Sequence, residues 1–151
     1  MDPAVGLLCL IIGIADRDTL TARCETLAGM ENMKVRLAEI DAPEKSQAFG
    51  NRSRRHLSDI CFKKSATVVA KSKDRHGRTV ARVACAGVDA SAEQVRAGMA
   101  WVYDEYATDR ALYTVQDEAR NARRGLWSDA EPLAPWMWRS GAHPQGGTTT
   151  P

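Results

Sequence analysis

The chain has 151 residues and a mass of 16.5 kDa, the size of one domain. Its 44% hydrophobic and 26% charged residues exclude a disordered chain, and its longest apolar run, residues 4–15, is too short to span a bilayer. The net charge of +2 names no partner, although residues 50–82 carry ten Lys and Arg against two Asp and Glu. Such a basic middle between acidic flanks suits a polyanion, and a solvated helix face with scattered strand lysines accounts for it as well.

Residues 7–15 (LLCLIIGIA) predict a buried strand, and residues 18–27 (DTLTARCETL) its alternating return strand. Asp16 and Arg17 are then the two-residue turn. A tight hairpin turn favours positive φ, so Arg17 at the glycine-like place predicts strain. The same hairpin sets Cys9 opposite Cys24, within disulfide reach. Residues 33–40 predict a third strand, ended by Asp41-Ala42-Pro43-Glu44 because Pro43 biases Ala42 away from helix. Residues 46–62 predict a helix with Phe49, Leu57, Ile60 and Cys61 as its apolar positions. Residues 66–73 and 78–86 predict two more strands, joined by a turn at 74–77. Cys61 ends the helix and Cys85 the last strand, which offers a second bridge; four buried thiols are the alternative. Two bridges imply an oxidising compartment, periplasmic or secreted, whereas free thiols imply the cytoplasm. Met1-Asp2-Pro3 is not the basic start of a leader, so a leader is expected to precede this chain if the protein is secreted.

Ser91-Ala92-Glu93-Gln94 reads as a capping box opening a short helix that Gly98 closes. Residues 108–124 form the longest helical pattern, with Leu112, Val115, Ala119 and Ala122 on one face and Gly125 as the stop. From Ser140 the sequence predicts a disordered tail, dividing the chain into a domain over 1–139 and a tail over 140–151. Three strands, a helix, two strands and further helices give an α+β fold, a five-stranded Greek-key β-barrel of the OB type with three helices.

Asp16, Asp18, Asp41 and Glu44 fall at loop edges. Their hard oxygens suit Ca²⁺ or Mg²⁺, and Asp is also an ordinary turn residue. Arg36 and Arg78 are permanent charges able to clamp a phosphodiester and stabilise its transition state; either alone reads as a salt-bridged surface arginine. An extended strand would hold Arg36 as much as about 17 Å from Asp41, so their convergence requires the chain to coil. Trp101, Tyr103 and Tyr106 either stack on bases or enter the core, while Trp127, Trp136 and Trp138 are expected to pack the last helix against the domain. Scattered Cys and His argue against structural zinc, and there is no P-loop, dinucleotide fingerprint or nucleophile elbow.

Seven segments, in order, resemble the staphylococcal nuclease family: DRDTL at 16–20, VRLAEIDAPE at 35–44, QAFG at 47–50, DRHGR at 74–78, GMAWVY at 98–103, GLW at 125–127 and PWMWR at 135–139. The resemblance implies a calcium-dependent nuclease acting on DNA and RNA, single strands preferred, by 5′ P–O cleavage to 3′-phosphate products. It implies that Asp18, Asp41 and the Ala42 carbonyl hold Ca²⁺. Ala42 stands where the family's founding member has threonine, but the ligand there is a backbone carbonyl. Glu44 is then the base that activates water, and Arg36 and Arg78 bind the phosphate. Arg75 takes the place of a phosphate-contacting lysine, and Tyr103 and Tyr106 are further substrate contacts. Arg17 replaces the usual glycine and His76 a common tyrosine. A monomer without membrane insertion is expected. A non-catalytic nucleic-acid-binding OB module is the competing reading.

Overall fold

The computed structural model describes residues 6–141. Strand β1 (Leu7–Asp16) turns back into β2 (Thr19–Thr26), and β3 (Gly29–Leu37) pairs with β2 on its far side. The alternation predicted for β2 holds, with Leu20, Ala22 and Cys24 facing the core, but β1 is not the buried strand expected: Cys9 and Ile11 face the core while Leu8, Leu10 and Ile12 face solvent, because only one face of the strand lines the interior. Cys9 pairs with Cys24 as expected, but register shifts between Ile11 and Gly13 and between Ile14 and Asp16 displace the tip. Asp16 therefore pairs with Thr19, and the turn residues are Arg17 and Asp18 rather than Asp16 and Arg17. The strain expected at Arg17 is also absent. Among the described residues, positive φ falls on Glu39, Phe49, Lys63, Ala86 and Arg123 and on glycines, not on Arg17. The irregularities supply the extra twist that the turn would otherwise need.

The predicted third strand is broken. After Leu37 the chain passes through Glu39 at φ 72° and resumes as β4 (Ile40–Asp41). Helix α1 spans Gly50–Cys61, four residues later than predicted at its start. Strand β5 (Ser65–Lys73) lies antiparallel to β1, and β6 (Thr79–Cys85) antiparallel to β5. β6 also runs parallel to β3 through Val35–Thr79 and Leu37–Ala81. That pairing closes five strands into a ring, β3-β2-β1-β5-β6, the OB-type barrel that the element order predicts. Ile11, Leu20, Val35, Leu37, Val68 and Val83 fill its interior.

Beyond the barrel, β7 (Val88–Asp89) extends the β6 edge and α2 (Ala90–Arg96) follows directly. The cap of α2 is Asp89, whose side chain accepts from the Ala92 N–H at 2.9 Å. The predicted Ser91 capping box does not form, because Ser91 Oγ is buried and donates to the Ala38 carbonyl instead. β8 (Trp101–Val102) pairs with β4, setting Trp101 beside Asp41. α3 covers Ala111–Asn121, shorter than the predicted 108–124, and one 3₁₀ turn follows at Gly125–Ser128. A fourth helix, α4 (Pro135–Arg139), joins the three expected, with Pro135 fitting its first turn. Ser140 and Gly141 bond back onto α4, and the rest of the expected tail lies outside the described residues. Cys9 is bridged to Cys24 and Cys61 to Cys85, which leaves no free cysteine among the described residues. No described helix is long and apolar enough to cross a membrane.

The kink at Glu39 is held by its own carboxylate. Glu39 is 5% exposed. Its Oε1 accepts from the Thr108 and Asp109 N–H groups at 2.7 and 2.6 Å, and its Oε2 from Arg82 Nη1 at 2.9 Å. Burial alone would push this carboxyl up, but the two backbone donors and Arg82 outweigh it and bring it to about 2. A depressed folded-state value stabilises the fold at pH above the ordinary carboxylate range and is lost as pH falls from about 4.5 toward 2. Glu39→Gln is therefore expected to cost about 3 kcal/mol at neutral pH. Melting curves from pH 7 to 2.5 should show wild type losing its advantage over the variant across the lower half of that range. An advantage that does not change with pH would contradict the assignment.

Candidate active site

Asp18 occupies the β1–β2 tip, Arg36 the end of β3, Asp41 strand β4, Glu44 the segment after it, and Arg78 the residue before β6. Barrel closure gathers these ends. Arg36 illustrates the local device: the reversal at Glu39 lets its Nη1 donate to the carbonyls of Leu37 and Ile40, the latter at 3.0 Å. Its Nη2 then lies 3.6 Å from Asp18 Oδ2 and 3.7 Å from Asp41 Oδ1. The separation possible in an extended strand has collapsed, and one guanidinium faces both carboxylates.

Arg78 joins through Thr19. Asp74 receives its backbone N–H at 2.9 Å and its Nε at 2.7 Å, locking the side chain over the 74–77 turn. Arg78 Nη1 reaches Thr19 Oγ1 at 3.3 Å, and that hydroxyl donates to Asp18 Oδ1 at 3.1 Å. Asp18, Arg36, Asp41 and Arg78 thus belong to one continuous polar network, which Glu44 enters through Arg17 and Arg139. Arg75 is exposed on the same turn. Tyr106 is 61% exposed. The Tyr103 ring instead stacks on Trp136 at 5.1 Å and 3° between planes, and meets Tyr106 edge-on.

Glu44 is placed by its backbone. Its N–H donates to Gln47 Oε1 at 3.0 Å, and Gln47 Nε2 donates to the Leu133 carbonyl at 2.6 Å, so one amide ties this segment to the C-terminal region. Gly50 packs so closely on the Glu44 carbonyl that a Cβ there would overlap it. Residues 47–49 therefore mount Glu44 ahead of the helix, which begins at Gly50. Beside Glu44 a groove is lined by Lys45, Ser46, Asn51, Trp138 and Arg139.

Two further arginines enter the cluster. Arg139, at the end of α4, donates through Nη1 to Glu44 Oε2 at 2.6 Å and through Nη2 to Asp41 Oδ2. The hydrogen bond to Asp41 and the charge of Glu44 hold its guanidinium more basic than usual. Arg17 Nη2 lies 3.0 Å from Glu44 Oε2. The packing expected of the C-terminal tryptophans holds for Trp136, which lies against both Trp101 and Tyr103. That the same helix delivers Arg139 is not legible in the sequence, because no short-range pattern connects that residue to Asp41 or Glu44, more than ninety positions earlier.

The Asp18 and Asp41 side chains are only 3% and 1% exposed. Burial pushes the Asp41 carboxyl up, against the pull of Arg139 and Arg36. Two adjacent buried carboxylates require positive charge beside them, and guanidiniums supply it here. Among the described residues no three His, Cys, Asp or Glu side chains converge closely enough to hold an ion alone. Two hard carboxylates with the neighbouring Ala42 carbonyl nevertheless suit a hard divalent cation whose remaining ligands are water.

Comparison with known proteins identifies the family. Residues 34–129 match the family described as staphylococcal nuclease homologue. An uncharacterized endonuclease of Haemophilus influenzae is 45% identical over 131 residues, covering 87% of this chain and 72% of that protein. A micrococcal nuclease of Shigella flexneri is 40% identical over 140 residues, covering 85% of this chain and 78% of that one. A probable staphylococcal-like nuclease of Oryza sativa is 32% identical over 136 residues, but the match covers only 41% of its length.

Proposed function

We propose, from the premise that the chain belongs to the staphylococcal nuclease family and is a hydrolytic nuclease, that it is a calcium-dependent phosphodiesterase of DNA and RNA. The observation carrying this reading is the single network that joins Asp18, Asp41 and Glu44 to Arg36 and Arg78. A binding module needs positive charge but not a buried pair of carboxylates beside it, so that alternative is less well supported.

Asp18, Asp41 and the Ala42 carbonyl would hold the ion. When bound, Ca²⁺ acts as a Lewis acid that neutralises charge at the phosphodiester. Arg36 and Arg78 both connect to Asp18, the first directly and the second through Thr19, and would grip the scissile phosphate, opposing the charge that builds on it. Glu44 would take the proton of the attacking water. Gln47 and Gly50 support this role because they fix the Glu44 backbone. Attack with loss of the 5′ oxygen leaves a 3′-phosphate product. Arg75 and Tyr106 extend the contact surface for a flexible single strand, and Tyr103 backs Tyr106. Contacts to phosphate carry little sequence information, so cleavage should be nearly sequence-independent. The two cystines support a periplasmic or extracellular workplace, and the protein is read as a monomer.

The test is release of acid-soluble nucleotides from single-stranded DNA and from RNA, in millimolar Ca²⁺ and in excess EDTA, with analysis of the product ends. Release with Ca²⁺ alone, bearing 3′-phosphates, is expected. Equal release in EDTA would overturn the calcium role, and binding without release under both conditions would favour the non-catalytic module.

A further inference from the structure

Arg17 turns inward from the hairpin tip, with its side chain 12% exposed. Its Nη1 bonds Asp16 Oδ2 at 2.6 Å, its Nε donates to the Ala42 carbonyl at 3.2 Å, and its Nη2 lies 3.0 Å from Glu44 Oε2 and 3.9 Å from Asp18 Oδ2. Burial works against its charge, but Asp18, Asp16 and Glu44 more than compensate, so the guanidinium stays charged. One permanent cation therefore reaches the carbonyl and one of the carboxylates assigned to calcium, together with the assigned base. Arg139 shares Asp41 and Glu44 but has no bond to the Ala42 carbonyl.

We infer that Arg17 is a built-in competitor for the divalent ion and sets the calcium concentration at which the enzyme is loaded. This inference rests on the calcium reading above. Calcium binds oxygen at roughly 2.3–2.6 Å. An ion that close to the Ala42 carbonyl and to Asp18 would crowd Nε and Nη2, and like charges at such range repel strongly where water is scarce. Loading thus requires the Arg17 side chain to withdraw and its bonds to the Ala42 carbonyl and Glu44 to break. Withdrawal also removes one of the two guanidiniums on Glu44 Oε2 and leaves Arg139 as the other. Calcium affinity should consequently be lower than the ligand set alone would give, suited to surroundings rich in the ion.

The test is calorimetric titration of Ca²⁺ into wild type, Arg17→Gln and Arg17→Gly, with melting temperatures read in EDTA and in calcium. Gln keeps much of the side chain's bulk without its charge, and Gly removes the side chain, so a folding defect in one leaves the other informative. Both variants are expected to bind calcium at least tenfold more tightly than wild type. They should also melt lower than wild type in EDTA and gain more from calcium. Measurable binding with unchanged or weaker affinity in both folded variants would overturn the competition and leave the calcium reading standing. No binding by any of the three proteins at tens of millimolar would overturn the calcium reading itself.

Discussion

Glu44→Gln is expected to lower kcat by a hundredfold or more while leaving KM within a few-fold of wild type. The substitution preserves the side chain's size and its remaining oxygen. That oxygen can still accept from Arg17 or Arg139, whose nitrogens lie 3.0 and 2.6 Å from Glu44 Oε2. The Gln47 and Gly50 contacts act on the backbone of residue 44 and are untouched. The fold should therefore survive, and circular dichroism would confirm it. What disappears is the ability to accept a proton from water. General-base catalysis is worth about 10²–10⁴-fold, so the loss corresponds to roughly 3 kcal/mol or more. Substrate affinity is read as resting on Arg36 and Arg78, which keep their places, and so the effect should fall on kcat. Steady-state rates on a defined single-stranded oligonucleotide in calcium provide the measurement. A loss below tenfold would remove Glu44 from the base role, and a large rise in KM with unchanged kcat would reassign it to binding.

The parts of this molecule that were legible in its sequence are those written in short periods. The apolar run at 7–15 and the alternation at Leu20, Ala22 and Cys24 point to the hairpin and its cysteine pair, because burial on one face of β2 repeats every second residue, although β1 alternates where a buried strand was expected. The tip was misplaced because two register shifts add residues that no local pattern announces. They also remove the reason to expect strain at Arg17. Asp18, Arg36, Asp41, Glu44 and Arg78 are all recognisable in the sequence, but as separate loop and strand residues. Their convergence depends on the parallel β3–β6 closure and on Glu39 at φ 72°, and the latter is held by Thr108, Asp109 and Arg82. Those contacts span the chain, so no window of sequence contains them. Arg139 was hidden for the same reason.

Reduction of both cystines should be the largest single loss of stability available to this protein. The bridges close separate segments, with separations of 15 and 24 residues. In the chain-entropy account each constrains the unfolded chain by about 3 kcal/mol, and because the segments do not overlap the effects add to about 6 kcal/mol. That is comparable to the whole stability of an ordinary domain of this size. At roughly 2–4 °C per kcal/mol, the melting temperature should fall by about 12–25 °C. The bridged sulfur atoms lie in the core, since Cys24, Cys61 and Cys85 are fully buried and Cys9 nearly so, and the loss on reduction is expected mainly from the unfolded chain. The two bridges also differ in what they protect. Cys9–Cys24 clamps the base of the hairpin whose tip carries Asp18, whereas Cys61–Cys85 ties the far end of α1 to β6. Since Gly50 at the start of α1 packs on the Glu44 carbonyl, Cys61→Ser/Cys85→Ser should lower the temperature at which activity is lost in parallel with the melting temperature. Calorimetry with and without reductant, paired with a thiol count on denatured protein, decides the matter. Four free thiols before reduction would end the bridge assignment, and an unchanged melting temperature after full reduction would show that the bridges contribute nothing to stability.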